Sequence, residues 1–335
     1  MNKKRWLGVG VALVLLVISF AVPKYTPEID TTSQLSSLKD LAFGMGTITE
    51  NVIEMGDPNS RILALELFGT IGSGGSAANG GYDHEFMLEQ LDKVLDDESI
   101  KGIYFLVDTP GGGVYESAEI RDRILKIKEE KNIPIYVQML GMAASGGYYV
   151  SADATKIYAT QESITGSIGV ISTTFDITGL LDKYGVSVTN YTSGNMKAMG
   201  SPFESPSEEE KSIWQELINE TYDRFVSIVA NGRNIPEETV RTLADGRIYT
   251  ANQALNNGLI DEIAFPEKSL EDLKTENGLE TAEVFSYHKD TGTDFFSLLD
   301  LAKSKVEKSS DLIQLKEIME NHKNMPTPMY LYGGK

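Results

Sequence analysis

"IKGIYFLVDTPGGGVYESAEIRDRILKIKEEKNIPIYVQML", Ile100–Leu140, holds the decision about the fold. Its first ten residues are an apolar, β-prone run that Pro110 stops, since proline cannot continue a central strand. Three glycines follow, then a stretch with apolar residues at helical spacing, then a second unbroken apolar run from Ile135. A strand, a crossover helix and a second strand make a parallel pair. Strands that are apolar on both faces belong to a sheet covered on both sides. The flanks repeat the pattern. "RILALELFGTI" (Arg61–Ile71) reads as a preceding strand and "EFMLEQLDKVLDD" (Glu85–Asp97) as a helix. "KIYAT" (Lys156–Thr160), "SIGVISTTF" (Ser167–Phe175) and "VSVTNYTSG" (Val186–Gly194) read as later strands. The fold class predicted is α/β, a mainly parallel sheet flanked by helices, with a helical C-terminal extension.

Past Pro206 the chain turns helical. "PSEEEKSIWQELINETYDRFVSIVANGR" is long and amphipathic, "PEETVRTLADG" and "ANQALNNG" are short and stopped by glycine, and a further helix is expected over residues 295–322. "MNKKR" precedes Trp6–Val22, 17 residues without a charge. As a helix they span about 26 Å, close to a hydrocarbon core of ~30 Å. Basic residues before the span put the N-terminus in the cytoplasm and the remainder outside the cell membrane. A cleaved signal peptide is the rival reading, but no A-x-A-like site closes the run. The expected organisation is an anchor over 1–23, a stalk over 24–58, a main α/β domain over 59–290, and a helix with a flexible tail over 291–335.

Net charge is −19, so a nucleic-acid partner is excluded for want of a basic face. There is no cysteine, which removes thiol nucleophiles, disulfides and Cys-ligated metal. No metal motif or cofactor pattern is present. "DTPGGGVYES" lacks the phosphate-loop lysine, but its glycines let backbone N–H groups approach an anion. Ser145, in "GMAASGGYYV", stands where a buried strand turns into a helix, the arrangement that exposes a serine hydroxyl; an N-cap serine would look the same. The three histidines, His84, His288 and His322, follow no core strand end, so a base must come from elsewhere. Lysine serves if it is neutral. Deprotonating a normal lysine at pH 7 costs about 4.6 kcal/mol, and burial shifts lysines by enough to offset that. Lys197, in "SGNMKAMGSP", is isolated from other charges, as such a base should be, although a surface loop lysine fits the same residues. In "ESITGSIGV", Thr165 or Ser167 has the reach to orient a lysine amine.

Five segments in order, "DTPGGGVYESAEI", "GMAASGGYYVSADA", "ITGSIGV", "SGNMKAMGSP" and "DGRIYTANQALNNGLID", resemble the signal peptide peptidase A family. These are membrane-anchored serine proteases of peptidase family S49 within the Clp protease/crotonase superfamily, and the match is to the short Gram-positive form. The resemblance spans about Arg61 to Ile263. It implies Ser145 as nucleophile, Lys197 as general base, Gly112 and Gly146 as oxyanion donors and Ser167 as the residue orienting the lysine. It implies no cofactor, remnant signal peptides and other short apolar chains as substrates, and a homo-oligomeric ring or dome. Asp108-Thr109 stands where many relatives have Asn-Ser, and Met196 and Met199 flank Lys197. The tail "PTPMYLYGGK" alternates aromatic and aliphatic residues as an extended ligand would, and is expected to enter the catalytic site or be trimmed by it. A crotonase-type acyl-CoA enzyme and an inactive membrane scaffold are the competing functions.

Overall fold

The computed structural model describes residues 47–73, 82–290 and 329–331. Strands are β1 (Thr47–Glu54), β2 (Asp57–Phe68), β3 (Ile100–Thr109), β4 (Gly111–Gly113), β5 (Ile135–Ala144), β6 (Lys156–Ala159), β7 (Ile164–Gly166), β8 (Ile248–Thr250), β9 (Glu262–Ile263), β10 (Ala282–Asp290) and β11 (Met329–Leu331). Helices are α1 (His84–Asp96), α2 (Val114–Lys131), α3 (Gly146–Ser151), α4 (Thr178–Lys183), α5 (Glu208–Arg233), α6 (Glu237–Leu243), α7 (Ala251–Asn256) and α8 (Pro266–Glu276). The main sheet runs β1-β10-β2-β3-β5-β6-β9. Every neighbour pair in it is parallel except β1 with β10. This is the predicted α/β class, a mostly parallel sheet with helices on both faces.

The two faces explain the unbroken apolar runs. Along β2, Leu63, Leu65 and Leu67 enter the larger core with Phe105, Val107, Val137 and Met139, under α1, α2, α3 and α5. The intervening Ile62 and Ala64 join Tyr104, Tyr136 and Tyr158 on the opposite face, against Leu273 of α8. Strand side chains alternate with period two, so a strand buried on both faces has no polar side to display. On that second face the tyrosine hydroxyls fasten α8: Tyr104 to Ser269, Tyr136 to Glu276 and Tyr158 to Asp272.

Local chemistry sets the boundaries that matter for the site. Pro110 ends β3, and the chain resumes as the short glycine strand β4. Gly113 caps α2, which ends at Asn132 in left-handed backbone with φ +51°. Strand β5 is long enough to serve two neighbours. Residues 136–139 pair with β6, and residues 142–144 pair with β7. Its far end lies between β3, where Ala143 pairs with Thr109, and β7, and leads directly into Ser145.

Three expectations differ from this arrangement. Ser167–Phe175 forms no strand beyond a single bridge at Ile171, and Val186–Gly194 is irregular and exposed. Both are β-prone by composition, but a strand needs a hydrogen-bonding neighbour, and none lies beside Val186–Gly194 among the described residues. Residues 47–58, within the expected stalk, supply β1 and the start of β2, because β10 offers β1 an edge. Among the described residues no helix is long and apolar enough to cross a membrane. The expected anchor, most of the stalk and the 295–322 helix, with His322, lie outside them.

Candidate active site

Ser145 follows the last residue of β5 and precedes α3. Its backbone stands at φ +54°, ψ −112°, a region where a side chain is strained. One tertiary and one helical bond hold it there: its N–H donates to Gly166 O at 2.8 Å, and its carbonyl accepts from Tyr149 N at 2.8 Å in the first turn of α3. The Ser145 side chain makes no capping hydrogen bond, so helix capping does not account for the serine. The residue is 1% exposed.

The glycine loop reaches the same point. Ile71 N donates to Gly111 O at 2.9 Å, and Gly113 N donates to Ile71 O at 2.9 Å. Strand groups alternate in direction, so the N–H and C=O of Gly112 face the other way, toward β11. A Cβ on Gly112 would overlap the Ile71 carbonyl, which is why only glycine fits. Gly111 has φ +98°, and a Cβ there would overlap the Tyr330 carbonyl oxygen and stand 2.6 Å from Gly146 N. The Tyr330 carbonyl thus lies among Gly111, Gly112 and Gly146, the last being the residue that follows Ser145. Thr109 keeps the loop in shape, its buried Oγ1 accepting from Gly111 N at 3.0 Å. Asp108 Oδ1 accepts from Met142 N at 2.9 Å. Thr109 thus braces the glycine loop, and Asp108 braces the end of β5.

Tyr330 belongs to β11, which lies antiparallel to β4 with Met329 opposite Gly113, Tyr330 opposite Gly112 and Leu331 opposite Gly111. On the other side Met329 exchanges both backbone bonds with Ile171, at 2.9 and 3.1 Å. The segment is therefore held as an extended chain between two backbones. Its Tyr330 side chain is fully buried. The ring stacks on Tyr149 with centroids 4.7 Å apart and leans on Phe225 at 4.7 Å, and the hydroxyl donates to Thr221 O at 3.4 Å. Burial pushes the Tyr330 and Tyr149 phenols upward from their ordinary range, so both hydroxyls remain donors. Tyr149 lies within the quoted "GMAASGGYYV", but no part in the site was read for it, and neither Thr221 nor Phe225 carried a sequence motif. Their common feature, buried aromatics on two separate helices, is indistinguishable from core until a ligand-like side chain is seen between them.

Ser167 sits at φ +50° one residue beyond Gly166, its N–H donating to Arg247 O at 2.8 Å. It lines a groove with Val170, Asn219, Tyr222 and Asp245. Thr165 is engaged elsewhere, its hydroxyl donating to Ala143 O at 2.7 Å. His84 lies between Tyr82 and Glu119, and His288 is on β10; neither is at Ser145. The structure brings Gly112 and Gly146 together next to Ser145, while Ser167 follows Gly166, whose carbonyl accepts from Ser145 N, and faces a groove that none of the three lines. It does not bring Lys197 to them: Lys197 is exposed, in a surface depression with Ser193, Asn195, Met196 and Glu209. Among the described residues there is no cluster of carboxylates and histidines that could hold a metal ion.

The sequence pattern of peptidase family S49 matches residues 127–280. A protein named as signal peptide peptidase SppA in Enterococcus faecium is 42% identical over 100% of both chains. Protease 4 of Haemophilus influenzae is 33% identical over 70% of this chain and 40% of its own length. The chloroplastic serine protease SPPA of Arabidopsis thaliana is 29% identical over 53% of this chain and 26% of its own.

Proposed function

The chain belongs to peptidase family S49 as a serine peptidase related to signal peptide peptidase A, and from that premise we propose a Ser145/Lys197 dyad that cleaves extended peptides at a membrane surface. The observation that carries the reading is the Tyr330 carbonyl, seated among Gly111, Gly112 and Gly146 beside a strained serine. An extended substrate takes the place of β11, held by backbone groups of β4 and Ile171. Those bonds read no side chain, so short, unfolded and apolar chains such as remnant signal peptides suit the cleft.

Ser145 Oγ attacks the scissile carbonyl carbon, and its proton passes to the neutral amine of Lys197. The oxyanion is held by the N–H groups of Gly112 and Gly146. The C–N bond then breaks, and the lysine ammonium gives the proton to the leaving amine. Water, deprotonated by Lys197, attacks the acyl carbon, and Ser145 departs with the proton. Ser167 orients the amine.

Lys197 reaches the serine of a second copy of this chain. Its segment exposes Phe175, Leu180, Tyr184, Val188 and Tyr191, an apolar surface that a homo-oligomer covers. The groove beside Ser167 is where the partner's amine enters. The N-terminal span anchors each copy, with the catalytic part outside the cell membrane. The tail, by occupying the cleft, inhibits the enzyme and is trimmed by it.

Mixing Ser145→Ala and Lys197→Ala proteins tests the dyad and its two-chain assembly together. Each alone is expected to be inactive and the mixture to recover part of the activity. Labelling by a fluorophosphonate is expected at Ser145 and to fall with Lys197→Ala. Full peptidase activity in Ser145→Ala would refute the mechanism. A mixture that stays inactive, with each variant folded, would refute sharing between chains. Mass spectrometry of the C-terminus tests trimming: identical ends in wild type and Ser145→Ala would count against it.

A further inference from the structure

The molecule keeps a buried hydroxyl that the mechanism above does not use. Ser117, in the first turn of α2, is 0% exposed, and its Oγ has no hydrogen-bond partner among the described residues. Two other buried hydroxyls on helices are satisfied in the ordinary way. Ser151 Oγ donates to Gly147 O at 2.7 Å and Thr221 Oγ1 to Leu217 O at 2.8 Å, each four residues back. Ser117 is turned away from that acceptor. Its Oγ faces Gly146 so closely that a Cβ there would stand 2.8 Å from the hydroxyl, and 3.2 Å from both Gly111 Cα and Gly112 N. Alanine is the better residue inside a helix, and an unpaired buried hydroxyl carries a desolvation cost. A serine at this position therefore has no local structural reason.

We infer that Ser117 is a positioning residue for the oxyanion site: helix α2 bears on Gly146 through this hydroxyl, and the contact fixes the convergence of the Gly112 and Gly146 N–H groups. The inference rests on the peptidase reading. The hydroxyl dipole is unpaired in the ground state, so the field it adds is worth most when charge develops on the carbonyl oxygen. A hydroxymethyl is also the size that the gap accepts. Alanine leaves Gly146 unsupported, and a larger residue drives α2 from the loop.

The test compares Ser117→Ala with the wild-type chain on a quenched-fluorescence peptide carrying tyrosine at the cleaved position. Two inhibitors are titrated in parallel: a peptide aldehyde, whose adduct with Ser145 places an oxyanion in the site, and the unmodified Met329–Leu331 tail peptide. Removing a full oxyanion donor costs about 10²–10³ in kcat, and loss of a positioning contact is expected to cost about tenfold of that kind. The aldehyde should weaken by the same factor as kcat, while KM and tail-peptide binding change less than twofold and the melting temperature does not fall. Unchanged kcat would overturn the inference. So would equal weakening of aldehyde and tail peptide, which a merely structural role produces. Fluorophosphonate labelling of wild-type Ser145 keeps the two readings apart: labelling with an unaffected Ser117→Ala removes the inference alone, and no labelling removes the mechanism beneath it.

Discussion

At Ser145 the backbone itself reports a demand other than stability. A β-carbon at φ +54°, ψ −112° costs of order 1–3 kcal/mol, and glycine would carry almost none of it. Ser145→Gly is therefore expected to unfold at higher temperature than Ser145→Ala, by about 1 kcal/mol in denaturant titration, with both inactive. Equal stabilities would show that the surrounding bonds relax when the hydroxyl goes. Gly111 makes the opposite test. Its missing side chain leaves room for the Tyr330 carbonyl, so Gly111→Ala should abolish binding of the tail peptide by calorimetry as well as peptidase activity. Ser145 was legible as a serine at a strand–helix turn; the isolation of Lys197 in the sequence gave no sign that it lies exposed and apart from Ser145. The strained backbone at Ser145 was not legible, because it is imposed by the Gly166 carbonyl and the turn into α3.

Among the elements, α1 shows how one carboxylate ties a helix to a strand. Asp83 caps it by accepting from Phe86 N at 3.0 Å and pairs with Lys289 of β10 at 2.9 Å. Burial raises its pKa, but these bonds outweigh burial and hold the carboxyl below the ordinary range. The folded value is depressed, so the contribution is fully present above the unfolded pKa of about 3.9 and fades as pH falls through the folded value. Asp83→Ala should cost about 1 kcal/mol at pH 7, with the difference from wild type shrinking below pH 4 in urea titrations. Elements built on their own periodicity were readable in advance: α1, α2, α5, β3 and β5. The strands expected at Ser167–Phe175 and Val186–Gly194 were not formed, because β-propensity describes a fit to neighbours: the first run pairs only at Ile171, and the second has no pairing partner among the described residues. The three-residue β8 carried too little pattern to be seen.

For the whole molecule, the arrangement of site and tail sets two expectations. A chain ending before Met329 loses its internal competitor. Its kcat/KM on short peptides should rise several-fold, and adding the tail peptide in trans should reverse the gain; equal rates would mean that β11 does not compete with substrate. A lysine base also predicts activity that falls on acidification and is greatest at alkaline pH. The fold can meet that condition, since burial pushes Tyr104 and Tyr136, which fasten α8, up to about 12. Both remain protonated through an alkaline activity profile, so circular dichroism should stay constant to about pH 10.

The sequence by itself determined the parallel α/β core, since strands apolar on both faces and a helix between them leave no other way to bury their surface. It also determined the residue types at the site, because a serine at a strand–helix turn and a glycine loop are local features. Only the tertiary structure decided that the loop and the serine meet around one carbonyl, that β11 fills the cleft, and that Lys197 stands apart from Ser145 within a single chain. Each of these depends on contacts between residues far apart in sequence, and such contacts leave no periodic mark on the chain.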